Sequence, residues 1–146
     1  MTRYEILDSI ADTYTPLLLI AYLSYSIFYF RAGDRTAYLK GLWGLAVAYL
    51  IMFLDNATQL WHAFNLDYST HSSVALAFIM FHLHKRKLVT PPAIGIIGSL
   101  LAYYLLEIYQ QYHSAADILS TVIIIAPLIL LGYWGIGHPK FRLMWR

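Results

Sequence analysis

His71–His84 reads HSSVALAFIMFHLH, an apolar run with polar ends, and Lys85-Arg86-Lys87 follow it directly. Whether this run crosses a bilayer decides the fold, because it sets the side of the membrane on which every later segment begins. Its apolar core falls short of the ~20 residues that a helix needs to span about 30 Å of hydrocarbon. Taken alone, such a run reads equally well as a re-entrant or buried helix, so its neighbours have to decide.

Longer apolar stretches lie at about Tyr14–Phe30, Tyr38–Trp61, Pro92–Tyr109 and Ala115–Ile136. With the N-terminus outside and all five segments crossing, Arg31, Arg35, Lys40, Lys85, Arg86, Lys87, Lys140, Arg142 and Arg146 fall inside, and only Arg3 falls outside. That asymmetry across short loops is what the positive-inside rule requires, and it appears only if His71–His84 also crosses. Aromatic residues fit the same layout, with Trp61, Tyr68, Tyr109 and Tyr112 near one interface and Tyr38, Trp43, Tyr133 and Trp134 near the other.

Composition sets the class. Of 146 residues, 60% are hydrophobic and 12% charged, whereas roughly a quarter are charged in a typical soluble domain. The expected fold is an all-α polytopic membrane helix bundle of five transmembrane helices, N-terminus outside and C-terminus inside, in a plasma or inner membrane. It is expected as a single integral membrane domain, with a bundle over residues 14–136 and a basic cytoplasmic tail over 137–146. The net charge of +2 is small, and the basic residues sit in short clusters between apolar runs, so nucleic acid is excluded as a partner. The bilayer is the partner, with a lipid as substrate or with other copies or subunits in a membrane complex. The absence of cysteine rules out disulfides, thiolate metal sites and thiol nucleophiles.

Residues 1–13 lack the basic stretch, short apolar run and cleavage site of a signal peptide. Tyr4, Leu7, Ile10, Ala11 and Tyr14 recur at helical spacing, away from Glu5, Asp8 and Asp12. This predicts an interfacial helix lying on the membrane surface or packed against the bundle.

On this topology His62, His71 and His113 reach the outer side with Asp117, while Asp55 and Glu107 lie deeper. Ionisable groups within spans are costly and usually face a bundle interior or wet cavity, which makes Asp55 and Glu107 candidates for function. Asp55 and His62 are spaced for one helix face. His113 and Asp117 are four apart, so on a helix the carboxylate would hold the imidazole and fix its tautomer. Plainer readings exist for each residue taken singly. His62 and His113 would be polar ends of spans, His71 would sit behind an N-cap supplied by Ser69 or Thr70, and Asp117 would meet the positive end of a helix. None of these explains two further carboxylates below the same histidines. His82 and His84, within HLHKRK, read as solvated or snorkelling residues of the inner side.

The order of these parts resembles the type 2 phosphatidic acid phosphatase superfamily of lipid phosphate phosphatases and vanadium haloperoxidases. YSTHSS, with Ser69 and His71, is similar to its Pro-Ser-Gly-His motif, with Tyr68 in place of proline. HSAADILS is similar to the end of its third motif, with His113 and Asp117 in register. The basic residues of the family are missing: Glu107 stands where its third motif has arginine, Leu106 replaces the preceding serine, and Asp55 and His62 are the best match to its lysine and arginine. The resemblance implies a lipid phosphohydrolase in which His113 attacks phosphorus, Asp117 orients it and His71 protonates the leaving alkoxide.

A cationic cradle for phosphate is replaced here by an acidic, histidine-rich set. Neutral imidazoles and carboxylates suit a divalent ion such as zinc, iron, copper or manganese. Asp55, His62, His71, Glu107, His113 and Asp117 are the candidate ligands or their supports. Three functions stay open from sequence: a lipid phosphohydrolase, with or without an assisting metal, a metal-dependent membrane enzyme of other chemistry such as lipid oxidation, and a non-catalytic subunit of a membrane complex.

Overall fold

The computed structural model describes residues 3–138. Among these it is all-helical: α1 (Arg3–Arg31), α2 (Arg35–Thr58), a single 3-10 turn (His62–Phe64), α3 (Thr70–Leu83), α4 (Pro91–Tyr109) and α5 (Ala115–Gly137). The chain is an integral membrane protein. α1, α2, α4 and α5 are each long and apolar enough to cross a bilayer, and side chains such as Leu17, Phe28, Leu50, Phe53, Leu105 and Leu131 are exposed along them, as a lipid-facing surface requires.

α3 is the short one. Its 14 residues make a rod of about 21 Å at 1.5 Å per residue. It packs against all four other helices, and every residue from Ser72 to Ile79 is buried. A helix that is apolar all round belongs in an interior, so the weak span of the sequence is the central post of the bundle. The others surround it and meet the lipid. Small residues let α2 come close: a Cβ on Gly44 would stand 3.4 Å from the Ala77 Cβ, and one on Gly41 would stand 2.8 Å from the Tyr22 ring. Close backbone approach at small residues is the usual packing device within membranes.

Local signals fix the helix starts. Asp34 accepts a hydrogen bond from the Ala37 N–H (3.0 Å) at the head of α2, and Ser69 accepts from the Ser72 N–H (3.2 Å) at the head of α3. α4 opens on Pro91, where the missing N–H has no intrahelical partner to lose. α5 opens on a capping box in which Ser114 and Asp117 bond reciprocally. Each such cap is worth about 1 kcal/mol.

The ends of the helices sort into two groups. At one end Tyr4 donates to the Gln110 carbonyl, Trp61 Nε1 donates to Ser120 Oγ (3.0 Å) and the Asp67 N–H donates to Asp117 (2.8 Å), so the start of α1, the loop after α2 and the α4–α5 junction meet. At the other end Lys85, just past α3, pairs with Asp34 of the α1–α2 turn. The second end also carries Arg31, Arg35, Lys40, Arg86 and Lys87 and is here called the basic end; the first is called the acidic end. Lys140, Arg142 and Arg146 of the expected tail lie outside the described residues.

Three expectations change. Residues 3–13 are not a separate surface helix. α1 continues unbroken through Pro16 to Arg31, because the polar side of its first turns is held to the α4–α5 junction: Tyr4 bonds the Gln110 carbonyl and Asp8 accepts from Gln110 and Tyr112. Trp61 and Tyr68 are not interface aromatics. They are 4% and 6% exposed, with the Tyr68 hydroxyl bonded to the Ala48 carbonyl at 2.8 Å, since the loop after α2 folds back over the end of the bundle. His82 and His84 are half-buried rather than solvated, the ring of His84 stacking on Phe81 at 5.4 Å and that of His82 meeting Tyr25 edge-on at 5.0 Å.

Candidate functional site

A cavity of about 640 Å³ opens between α1, α2, α3 and α4 near the acidic end. Its apolar wall includes Leu19 of α1, Leu45 of α2 and Val74 and Phe78 of α3. His71, Glu107 and His113 line its polar part, together with Asp12 and Tyr112. Three residues singled out from sequence therefore share one cavity although they come from different parts of the fold.

His71 stands in the first turn of α3, just inside the Ser69 cap, and shares the cavity lining with Asp12 of α1 and Glu107 of α4. Glu107 sits near the end of α4 and is only 4% exposed. One turn before it on the same helix face stands Tyr103, which also lines the cavity. Pro16 is also in the lining, on the turn that presents Asp12 and Thr15. A proline lacks the N–H that would bond four residues back, which loosens the helix there.

His113 is not on a helix. It occupies the bend before α5, which starts at Ala115. The expected His113–Asp117 pair is therefore not made through helical spacing. Asp117 has its own work: Oδ2 accepts from the Ser114 N–H (2.8 Å) and the Ser114 hydroxyl (2.7 Å), and Oδ1 accepts from the Asp67 N–H (2.8 Å). The carboxylate facing His113 is that of Asp67, with Oδ2 3.9 Å from Nδ1. His113 Nδ1 is buried and makes no hydrogen bond among the described residues.

Asp55 and His62 do not join the cavity lining. Asp55 accepts from the Trp61 N–H at 2.8 Å and so closes the turn after α2, while His62 is exposed on the 3-10 turn. The ligand set thus divides into a cavity group of His71, Glu107 and His113, the carboxylates of Asp55 and Asp117, which hold loops, and the exposed His62. Among the described residues, no three histidine, aspartate or glutamate side chains converge closely enough to hold a metal ion.

Asp12, Tyr103 and Asp67 were not legible as site residues. Asp12 falls in a segment that reads as interfacial, and Asp67 falls in a loop. Tyr103 had one available signal, its spacing of four from Glu107 on a helix.

The lining holds the carboxylates of Asp12 and Glu107 and the imidazoles of His71 and His113, and among the described residues no lysine or arginine. Chemically this is an acid–base site with an apolar flank, fit for the head and part of the tail of an amphiphile. No family model matches the chain, and neither a curated protein nor a solved structure matches it.

Proposed function

We propose that this protein takes a bilayer amphiphile into the cavity and acts on its polar head with His71 and His113, as a divergent relative of the type 2 phosphatidic acid phosphatases. The observation that carries this reading is that His71 and His113, from the heads of α3 and of the α4–α5 junction, line one cavity with an apolar wall. In the reaction that the resemblance implies, a His113 ring nitrogen forms a bond to phosphorus as the ester P–O bond breaks. His71 gives the leaving alkoxide its proton, and water then cleaves the phosphohistidine. Asp67 takes the orienting role expected of Asp117, because it is the carboxylate near His113 Nδ1. The charge asymmetry of the loops supports an acidic end that faces outward, in a plasma or inner membrane, with substrate drawn from the outer leaflet.

The residues that would neutralise the equatorial oxygens are missing from this lining, and such neutralisation is a large part of phosphoryl-transfer catalysis. A second reading follows from that observation: a divalent ion drawn to His71, His113 and Glu107 supplies the positive charge, in phosphate hydrolysis or in other chemistry. It requires these side chains to move together when the ion binds.

Both readings are tested on protein purified in mild detergent without added metal. Phosphate release from a short-chain phosphatidic acid is measured with and without divalent ions, and bound metal is measured by elemental analysis. The expected result is turnover that falls at least ~100-fold in His113→Ala, a magnitude typical of losing a catalytic acid, base or nucleophile. Asp67→Asn should lower turnover more than Asp117→Asn measured on folded protein. Metal bound stoichiometrically and lost in Glu107→Ala would favour the second reading. Protein with neither turnover nor metal would sink both and leave a non-catalytic subunit of a membrane complex.

A further inference from the structure

The geometry points to a ligand whose head carries a positive charge: an alkylammonium amphiphile, with its ammonium group against Glu107 and Asp12. This rests on the reading that the cavity takes an amphiphile, and it goes further by fixing the charge of the head. Glu107 is 4% exposed inside a membrane-embedded bundle, where an uncompensated carboxylate is costly. Tyr103 lines the cavity with it, but a hydroxyl brings no opposite charge. Asp12 adds a second carboxylate to the same lining, with no lysine or arginine there among the described residues. The lining is electrostatically complementary to a cation.

The remaining walls agree with that choice. Tyr49, Tyr103 and Tyr112 line the cavity with Phe78, and aromatic faces attract an ammonium group through the ring quadrupole, most strongly where water is excluded. The apolar stretch along Leu19, Leu45 and Val74 continues from this region and suits an alkyl chain. A head bearing only a phosphate would meet carboxylate repulsion, whereas a phosphate ester that also carries an ammonium group satisfies both parts of the lining, with its ester at the histidines and its cation at the carboxylates.

The test uses the full chain in maltoside micelles, which are uncharged. Thermal unfolding, followed by tryptophan fluorescence, is measured against rising octyltrimethylammonium, 1-octanol and octyl phosphate, since a ligand that binds the folded state raises the midpoint by an amount that grows with the logarithm of its concentration over its Kd. Octyltrimethylammonium is expected to bind at least ~10-fold more tightly than either comparator, a difference of one decade in the dissociation constant. Glu107→Gln and Asp12→Asn should each remove most of that preference and leave 1-octanol binding unchanged. Should Glu107→Gln fail to fold, Asp12→Asn still decides, because Asp12 lies at an exposed position and unchanged ammonium preference there would overturn the inference. Equal binding of octyltrimethylammonium and 1-octanol would refute the charged head while leaving the amphiphile cavity standing. Binding of none of the three would overturn the cavity reading itself, and tightest binding of octyl phosphate would overturn the assignment of charge.

Discussion

At the basic end, His82 and His84 are wedged among Tyr25, Tyr29 and Phe81, and Lys85 is paired with Asp34. At the acidic end, His71 and His113 face a cavity, and the buried carboxylate of Glu107 faces it with them. Both ends have histidines near the head or foot of α3, and both have carboxylates close by. What differs is the use of the space. The basic end leaves a cavity of only about 230 Å³, lined by Tyr25, Tyr29, Phe81 and His82, and its histidines stack and pack on those rings. The acidic end leaves a larger one, about 640 Å³, beside the Pro16 turn of α1, and both its histidines line it. A histidine's role is thus set by what fills the volume beside it more than by its distance from a helix end.

The comparison breaks most completely if the two ends lie on one side of the membrane. A cysteine at Ala63, on the exposed turn after α2, should react fully with a membrane-impermeant thiol reagent added outside intact cells, and one replacing Lys87 should not react. Ala63 is a better site than Asn65, whose φ of +55° favours asparagine over cysteine. Labelling of both from the same side would refute five crossings.

Exchanging the same substitution between the ends gives the next largest contrast. His113→Ala should abolish turnover by at least ~100-fold with little change in thermal midpoint. His84→Ala should leave turnover near wild type and cost about 1–2 kcal/mol in stability, because it removes a ring stacked on Phe81 and set against Tyr29 and Tyr133. Activity assays and thermal unfolding on the two variants side by side would show whether the roles divide this way. Equal loss of activity in both would erase the distinction.

The smallest effect concerns Asp34. Partial burial alone would raise its pKa, but hydrogen bonds from Lys85 and the Ala37 N–H, together with the Lys85 charge, hold it below the ordinary carboxylate value. A folded pKa lower than the unfolded one means stability that is present above the ordinary value near 3.8 and is lost as pH falls through the folded value. With the side chains of Lys85 and Asp34 45% and 33% exposed, screening keeps the contribution below about 1 kcal/mol. Asp34→Asn should lower stability by less than about 1 kcal/mol at neutral pH, where the pairing is present, and flatten the acid limb so that variant and wild type converge at low pH. A profile identical to wild type at neutral pH, with an acid limb just as steep, would count against the pairing.

Much of this fold was readable because bilayer physics is restrictive. Long apolar runs and the sidedness of Arg31, Arg35, Lys40 and Lys85–Lys87 leave few arrangements, and the short third run resolves into a central helix whose neighbours keep it from lipid. The N-terminal part of α1 was left open between a surface helix and one packed on the bundle, because Asp8, Asp12 and Thr13 depress local hydropathy while the partners of Asp8, Gln110 and Tyr112, are distant in sequence. Convergence of His71, Glu107 and His113 on one cavity followed from helix ends and needed no side-chain detail. His113 and Asp117 are not related by helical spacing, for a local reason. A spacing of four implies contact only on a helix, and the Ser114 cap starts α5 one residue after His113. Asp67, in an irregular loop, had no periodicity that would have revealed it.

The central claim is that the cavity takes in a membrane amphiphile at the acidic end. Its most direct test is photocrosslinking in bilayers with a lipid analogue that carries a photoreactive group in its acyl chain, followed by peptide mapping. The expected result is saturable labelling of Leu19, Tyr49 and Tyr103, competed by unlabelled amphiphile and reduced when Leu45→Trp fills the cavity, above a non-saturable background on lipid-facing residues such as Phe53 and Leu105. Labelling confined to Phe53, Leu105 and the rest of that outer surface, unaffected by competitor or by Leu45→Trp, would contradict it.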